Sequence, residues 1–296
     1  MQIFKGIWPA LVTPANEDHS VNVTVVRNLV DYLIDKDVDG FYIGGTTGEG
    51  IFMPVSQRKI LTETVLSHVN NRVPVIVHVG AISIDDATDM AKQAQDLGAA
   101  GISSIIPPMY DTLNLITRYY KELAASAKDI PFLAYILNPN LDSVALVNSL
   151  LDIPNLGGTK YTGPNMFEFR RILDMGNGEW TMFSGMDEQC VYAAMMGATG
   201  AIGSTLNCMP GVYRNIRDYI EAGEHDKAQD LQVRANKVIE VMIQQGFDGS
   251  LKEVLSQLLG VPFGEPRLPR LPLSTNQRDA LHRNLAETDF DTMVAM

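Results

Sequence analysis

Asn155-Leu156-Gly157-Gly158-Thr159-Lys160-Tyr161-Thr162 has the pattern of a strand, but of a weak one: two glycines interrupt it and a lysine stands near its end. Glycine inside a strand contributes no packing and costs backbone entropy. The lysine has neither an alternating polar face nor a helical neighbour to pair with. Two readings follow. Either Lys160 is a solvated strand-end lysine, the commoner fate of this residue type, or it is a buried amine at the floor of a pocket. In the second reading Gly157 and Gly158 leave room inside the fold beside Lys160.

Outward from this stretch the same unit recurs: a short apolar run, a loop with Gly, Thr or Pro, then an amphipathic helix. The runs before it are Ile7–Thr13, Phe41–Ile43, Val75–Val79, Ile102–Ile106 and Phe132–Tyr135; those after it are Trp180–Ser184 and Gly200–Gly203. The first intervening helix carries Val25, Val26, Leu29, Val30, Leu33 and Ile34 on one stripe, with Asn22 as its cap. The second carries Ile60, Leu61, Val65 and Val69. Ser83 and Asp86 resemble a capping box opening the third. Later helices are expected over about 114–127, 144–151, 167–173, through 191–193, and over 212–220. Eight strand–helix units in alternation imply parallel strands closing a (β/α)8 TIM barrel, an α/β fold. After residue 223 the rhythm stops. Residues 225–245 carry a long helical stripe (Ala228, Leu231, Ala235, Val238, Ile239, Met242), and helices are expected over 251–259 and 277–285. The expected organisation is a barrel over 1–223 and a helical extension packed on it over 224–296.

The 296 residues are 46% hydrophobic and 20% charged, enough apolar material for a large core. A net charge of −12 disfavours nucleic acid and anionic membranes as partners, but an anionic metabolite can still be held by local backbone donors. No run is long enough to span a membrane, and the first residues do not read as a signal peptide. Cys190 and Cys208 form neither a disulfide framework nor a metal-ligand spacing. The expected compartment is the cytoplasm.

Barrel active sites lie at the C-terminal ends of the strands, so the residues delivered there are the candidates. The second strand leads into Gly44-Gly45-Thr46-Thr47-Gly48-Glu49-Gly50, either an anion cradle or an ordinary tight turn; it is no dinucleotide fingerprint and no P-loop. Tyr110 and Tyr135 follow the fourth and fifth strands. Tyr135 is either a proton carrier or a core aromatic. Lys160 and Thr162 end the sixth strand, Gly185-Met186-Asp187-Glu188 follow the seventh, and Gly203-Ser204-Thr205 the eighth. Asp187 and Glu188 either cap a helix or bind a polyol. His78 is most simply a satisfied core histidine. Taken together, lysine, tyrosine and a Thr-Thr glycine loop, without metal ligands, suit Schiff-base chemistry on a keto acid. A neutral amine attacks the carbonyl, desolvation favours that neutral form, and the iminium then acts as electron sink.

At Gly45–Glu49, Tyr110, Tyr135, Gly158-Thr159-Lys160 and Gly197–Thr205 the chain resembles the pyruvate-dependent class I aldolase family, which includes N-acetylneuraminate lyase and dihydrodipicolinate synthase. The resemblance spans nearly the whole chain. Gly185-Met186-Asp187-Glu188 and Gly260–Pro269 are most similar to the branch acting on sialic acid. It implies that Lys160 forms a Schiff base with C2 of a 2-keto acid, that Thr46 and Thr47 bind its carboxylate, and that Tyr135 moves the proton. It further implies that Tyr110 supports the site across a subunit contact, and that Thr162, Gly185, Asp187, Glu188 and Ser204 hold the polyol tail. The reaction implied is cleavage of N-acetylneuraminate to pyruvate and N-acetylmannosamine, without metal or organic cofactor, by a homotetramer. One run departs from the family pattern: in Tyr135-Ile136-Leu137-Asn138-Pro139-Asn140 the proline stands one place late. Asn140 also stands where the synthase branch has an arginine, which counts against that branch. The rival readings are an aldolase or dehydratase for another 2-keto-3-deoxy sugar acid, a synthase-like condensation, and a non-catalytic barrel that only binds keto acids.

Overall fold

The computed structural model describes residues 3–137 and 141–296. Eight parallel strands form one sheet in the order β1-β8-β7-β6-β5-β4-β3-β2, and a bridge between Ala10 and Tyr42 joins the first strand to the second. The chain is a TIM barrel. Its strands are β1 (Gly6–Pro9), β2 (Phe41–Ile43), β3 (Val75–His78), β4 (Gly101–Ile105), β5 (Phe132–Leu137), β6 (Leu156–Thr162), β7 (Thr181–Ser184) and β8 (Gly200–Gly203). The expected first strand, Ile7–Thr13, is longer than β1, because beyond Pro9 only Ala10 still pairs with β2.

The outer helices are α1 (Val23–Asp35), α2 (Val55–Val69), α3 (Ile84–Asp96), α4 (Leu113–Ser126), α5 (Ser143–Asn148), α6 (Met166–Met175), α7 (Cys190–Met195) and α8 (Pro210–Glu221). Asn22 caps α1 by accepting from Val25 N. Ser83 caps α3 by accepting from Asp86 N, but Asp86 does not return the bond, so the capping box is half made. The α1 stripe is buried apart from Ile34, which is only partly covered. On α2 the pattern slips: Leu61, Val65 and Val69 face the sheet while Ile60 is 40% exposed.

Beyond the barrel come α9 (His225–Gln245), α10 (Phe247–Leu259), α11 (Thr275–Leu285) and a short α12 (Phe290–Ala295) that periodicity did not reveal. The whole α9 stripe is buried. It belongs to one apolar cluster with Leu29 and Val30 of α1 and Val212 and Ile216 of α8. Burial of such side chains contributes about 1.5–3 kcal/mol each, which holds the C-terminal helices against the barrel wall.

The paired glycines of β6 have a different task from the one their sequence suggested. Leu156 pairs with Phe132 and Gly158 with Leu133, so Gly157 is the extra residue of a bulge. Gly158 adopts φ +134°, and a Cβ there would lie 1.9 Å from the Thr181 carbonyl oxygen of β7. Gly158 thus brings backbone against backbone and does not clear space beside Lys160.

Candidate active site

The barrel axis is filled from below by Phe4, Trp8, Ile76, Leu133, Phe183 and Ile202. On this floor stands Lys160, in register with Tyr135 on one side and Phe183 on the other. Its side chain is buried; the residue is 4% exposed. The Nζ atom lies 4.1 Å from the centre of the Tyr135 ring and 4.7 Å from that of Tyr42. The two rings meet edge to face at 6.2 Å, so the amine sits in a corner of aromatic faces, a favourable place for a cation. Tyr42 was missed in the sequence because Phe41-Tyr42-Ile43 reads as plain strand; its hydroxyl donates to Ser103 Oγ at 3.1 Å.

Space beside the amine comes from Gly185. A Cβ at that position would fall 1.7 Å from Thr162 Oγ1 and 3.0 Å from Lys160 Cε. Burial pushes the Tyr135 phenol up, but the Lys160 charge, together with the Thr46 and Thr162 hydroxyls and hydrogen bonding from Lys160 itself, holds it below its ordinary 10. Thr162 Oγ1 nevertheless makes no hydrogen bond of good geometry and is buried. Lys160, Tyr135, Thr46, Thr162 and Gly185 therefore converge.

The rim is tied together by short polar bonds. The Thr47 and Ser204 hydroxyls are 2.6 Å apart, joining the loops after β2 and β8. Asp187 does not cap the helix that follows it. Its Oδ2 accepts from Thr205 N at 2.8 Å and Thr205 Oγ1 at 2.7 Å, and the latter hydroxyl lies 2.5 Å from Tyr213 Oη. Gly203 makes this possible, since a Cβ there would sit 1.5 Å from Asp187 Oδ1. Burial raises the Asp187 carboxyl to about 6, with the Thr205 bonds and Lys160 opposing and Glu188 adding to the rise. Glu188 is half-buried beside it.

His78 is a core histidine: its Nε2 accepts from Ile105 N at 3.0 Å, and burial drives its pKa well below 6.5. Tyr110 is not drawn to Lys160 within one chain. Its ring packs edge-on against Tyr119 and its hydroxyl donates to the Ile82 carbonyl at 3.1 Å. Asn138, Pro139 and Asn140, where the sequence departs from the family pattern, lie outside the described residues.

Two supports were not anticipated. Glu49 is 1% exposed and accepts from Lys252 Nζ at 3.1 Å and Arg267 Nη1 at 2.8 Å, so α10 and the segment after it anchor the Thr46-Thr47 loop. The second, on α9, holds the Asp187-Glu188 loop. Among the described residues no group of three His, Cys, Asp or Glu is placed to hold a metal, and no helix is long and apolar enough to cross a membrane. A surface cavity of about 590 Å³, lined by residues such as Glu63, Asn70 and Leu97, opens at the opposite end of the strands and has no part in this site.

Residues 3–288 match the Dihydrodipicolinate synthetase family. The chain belongs to that family. It is 34% identical to the N-acetylneuraminate lyase of Danio rerio over 292 residues, covering 95% of each chain. It is also 34% identical to that of Rhizobium meliloti over 268 residues, covering 90% of this chain and 89% of the other. Among solved structures, the Proteus mirabilis N-acetylneuraminate lyase superposes with a TM-score of 0.92 at 30% identity, over 98% of this chain and 100% of that one. The barrel and its C-terminal helices are thus those of a class I aldolase-type lyase family.

Proposed function

We propose that this protein is an N-acetylneuraminate lyase acting through a Schiff base on Lys160. The observation carrying the proposal is the buried amine packed against the lowered-pKa phenol of Tyr135. In this mechanism Lys160 Nζ attacks C2 of the keto acid and water leaves, forming the iminium. Tyr135, as phenolate, accepts the proton of the C4 hydroxyl while the C3–C4 bond breaks. The bond's electron pair flows to the iminium nitrogen, releasing N-acetylmannosamine and leaving an enamine. Protonation at C3 and hydrolysis then release pyruvate and free the lysine. No step requires a metal or organic cofactor.

Thr46 and Thr47 are assigned to the substrate carboxylate. Thr162, whose Oγ1 makes no internal hydrogen bond of good geometry, Gly185, Asp187, Glu188 and Ser204 are assigned to the hydroxylated tail. Since Asp187 Oδ2 is already engaged by Thr205, only Oδ1 of that carboxylate is assigned to the sugar. Tyr110 is assigned a role across a subunit contact in a homotetramer. The catalytic barrel is assigned to residues 1–223 and an extension bracing its rim to 224–296.

Borohydride added with pyruvate should fix a three-carbon adduct on the Lys160 peptide, and Lys160→Ala should abolish both trapping and turnover. Tyr135→Phe should retain trapping and slow cleavage by about 10²-fold or more. A trapped lysine elsewhere would refute the site. Trapping at Lys160 without release of pyruvate from N-acetylneuraminate would refute the substrate.

A further inference from the structure

The C-terminal helix α9 reaches into the rim with two amides. Gln232, only 3% exposed, interrupts the apolar stripe of Ala228, Leu231 and Ala235. Its Oε1 accepts from Val191 N at 3.0 Å, and its Nε2 donates to the Asp187 carbonyl at 3.0 Å and to Asn236 Oδ1 at 2.8 Å. Asn236, one turn further on, donates from Nδ2 to the Glu188 carbonyl at 3.1 Å. Both protons of the Gln232 amide are used, and the pair fixes the backbone of both acidic residues and the start of α7. A buried amide this fully bonded is costly to place unless each bond is kept. Its orientation is set by Asn236, so the two act as a unit.

We infer that Gln232 and Asn236 are positioning residues that set how the enzyme grips the hydroxylated tail of its substrate, while leaving the keto-acid end untouched. The inference rests on the proposed lyase reading. The backbone clamp aims the Asp187 and Glu188 carboxylates at the tail; the hydrogen bonds of Gln232 and Asn236 go to Val191, Asp187, Glu188 and each other, and none reaches Thr46, Thr47 or Lys160, the residues assigned to the keto acid's carboxylate and carbonyl. The clamp acts on binding of the long substrate, so it belongs to KM.

The test uses Asn236→Ala, the milder change, with Gln232→Leu as a second variant. For each, KM and kcat are measured on N-acetylneuraminate alongside the pyruvate concentration that half-saturates borohydride trapping at Lys160. Asn236→Ala loses the bond to the Glu188 carbonyl together with the one that orients Gln232, and should raise KM about tenfold. In the same variant kcat should fall less than about threefold, and half-saturating pyruvate should stay within about twofold. Equal damage to pyruvate trapping and to sugar-acid KM would mean a merely structural role and overturn the inference, as would a KM unchanged in both variants. A wild-type protein that traps pyruvate yet cleaves no N-acetylneuraminate would instead overturn the lyase reading, and the clamp's assignment with it.

Discussion

Replacing Gly185 by alanine adds one methyl group at the most crowded point of the site. The new Cβ would lie 1.7 Å from Thr162 Oγ1, 2.9 Å from Thr162 Cβ and 3.0 Å from Lys160 Cε. Real Cβ contacts essentially never fall below 3.0 Å, so in a close-packed interior the hydroxyl must withdraw by about 1.3 Å. Thr162 can rotate about χ1 to another staggered position, which limits the stability cost to the about 1–3 kcal/mol typical of overpacking. The lysine has less freedom, because Tyr135 and Tyr42 already flank its amine. Displacing Nζ by even part of an ångström spoils its approach to the carbonyl, and misplacement of about 1 Å costs about 10²-fold. The expected outcome for Gly185→Ala is a folded protein with turnover and the rate of pyruvate trapping at Lys160 both lowered about 10²-fold. Gly98→Ala is the control. It has a left-handed φ of +81° but open space around it, so it should lose some stability and no activity. Turnover of Gly185→Ala within about threefold of wild type would refute the view that this glycine makes the room in which the amine works.

Three further outcomes follow from the buried polar groups. Glu49→Gln leaves Lys252 and Arg267 buried without their counter-charge and should lower stability to urea by about 3–5 kcal/mol; a loss below about 1 kcal/mol would show that the pair is solvated. The Asp187 carboxyl is raised to about 6 from 3.8. An acid raised on folding stabilises fully below its unfolded pKa, and that stabilisation is lost as pH rises through the folded one. Between about pH 4 and 7 the wild type should therefore lose about 2 kcal/mol relative to Asp187→Asn, and parallel pH curves in urea unfolding would contradict this. Asn155 Nδ2 donates to the carbonyls of Ala124, Ala127 and Ile130 at the end of α4; Asn155→Leu should cost about 1–3 kcal/mol by thermal or urea unfolding, and a change within about 0.5 kcal/mol would remove it from the account.

The barrel was legible in the sequence because period and punctuation agreed: runs such as Val75–Val79 are apolar on both faces, and caps such as Asn22 sit where their helices begin. Taken alone, Lys160 was legible as an anomaly, a charge in a strand with nothing to pair it; its combination with Tyr135, the Thr46-Thr47 loop and the family motif made it a candidate. Its aromatic corner was not, because Tyr42 and Tyr135 are 93 positions apart in the chain and meet only through strand order. The glycines misled for a related reason. Gly157 and Gly158 lie close to the lysine in sequence, yet Gly157 is the extra residue of a bulge and the space at Gly158 is taken by the backbone of β7, whereas Gly185, on another strand's loop, faces Lys160 Cε. Gln232 left a visible trace, since a glutamine within the stripe Ala228, Leu231, Ala235 has to find polar partners in a buried place. Glu49 left none, as its partners Lys252 and Arg267 are more than 200 residues away.

That separation has a consequence for the order in which the molecule is made. Synthesis proceeds from the N-terminus and folding tends to begin before the chain is complete. All eight strands have been translated by Gly203, but the groups that pin the two sides of the mouth, Gln232, Asn236, Lys252 and Arg267, emerge only afterwards. A growing chain thus holds Lys160 and Tyr135 well before the loops around them are fastened. The loops at the barrel mouth can take up their final bonds only once the last quarter of the polypeptide has docked.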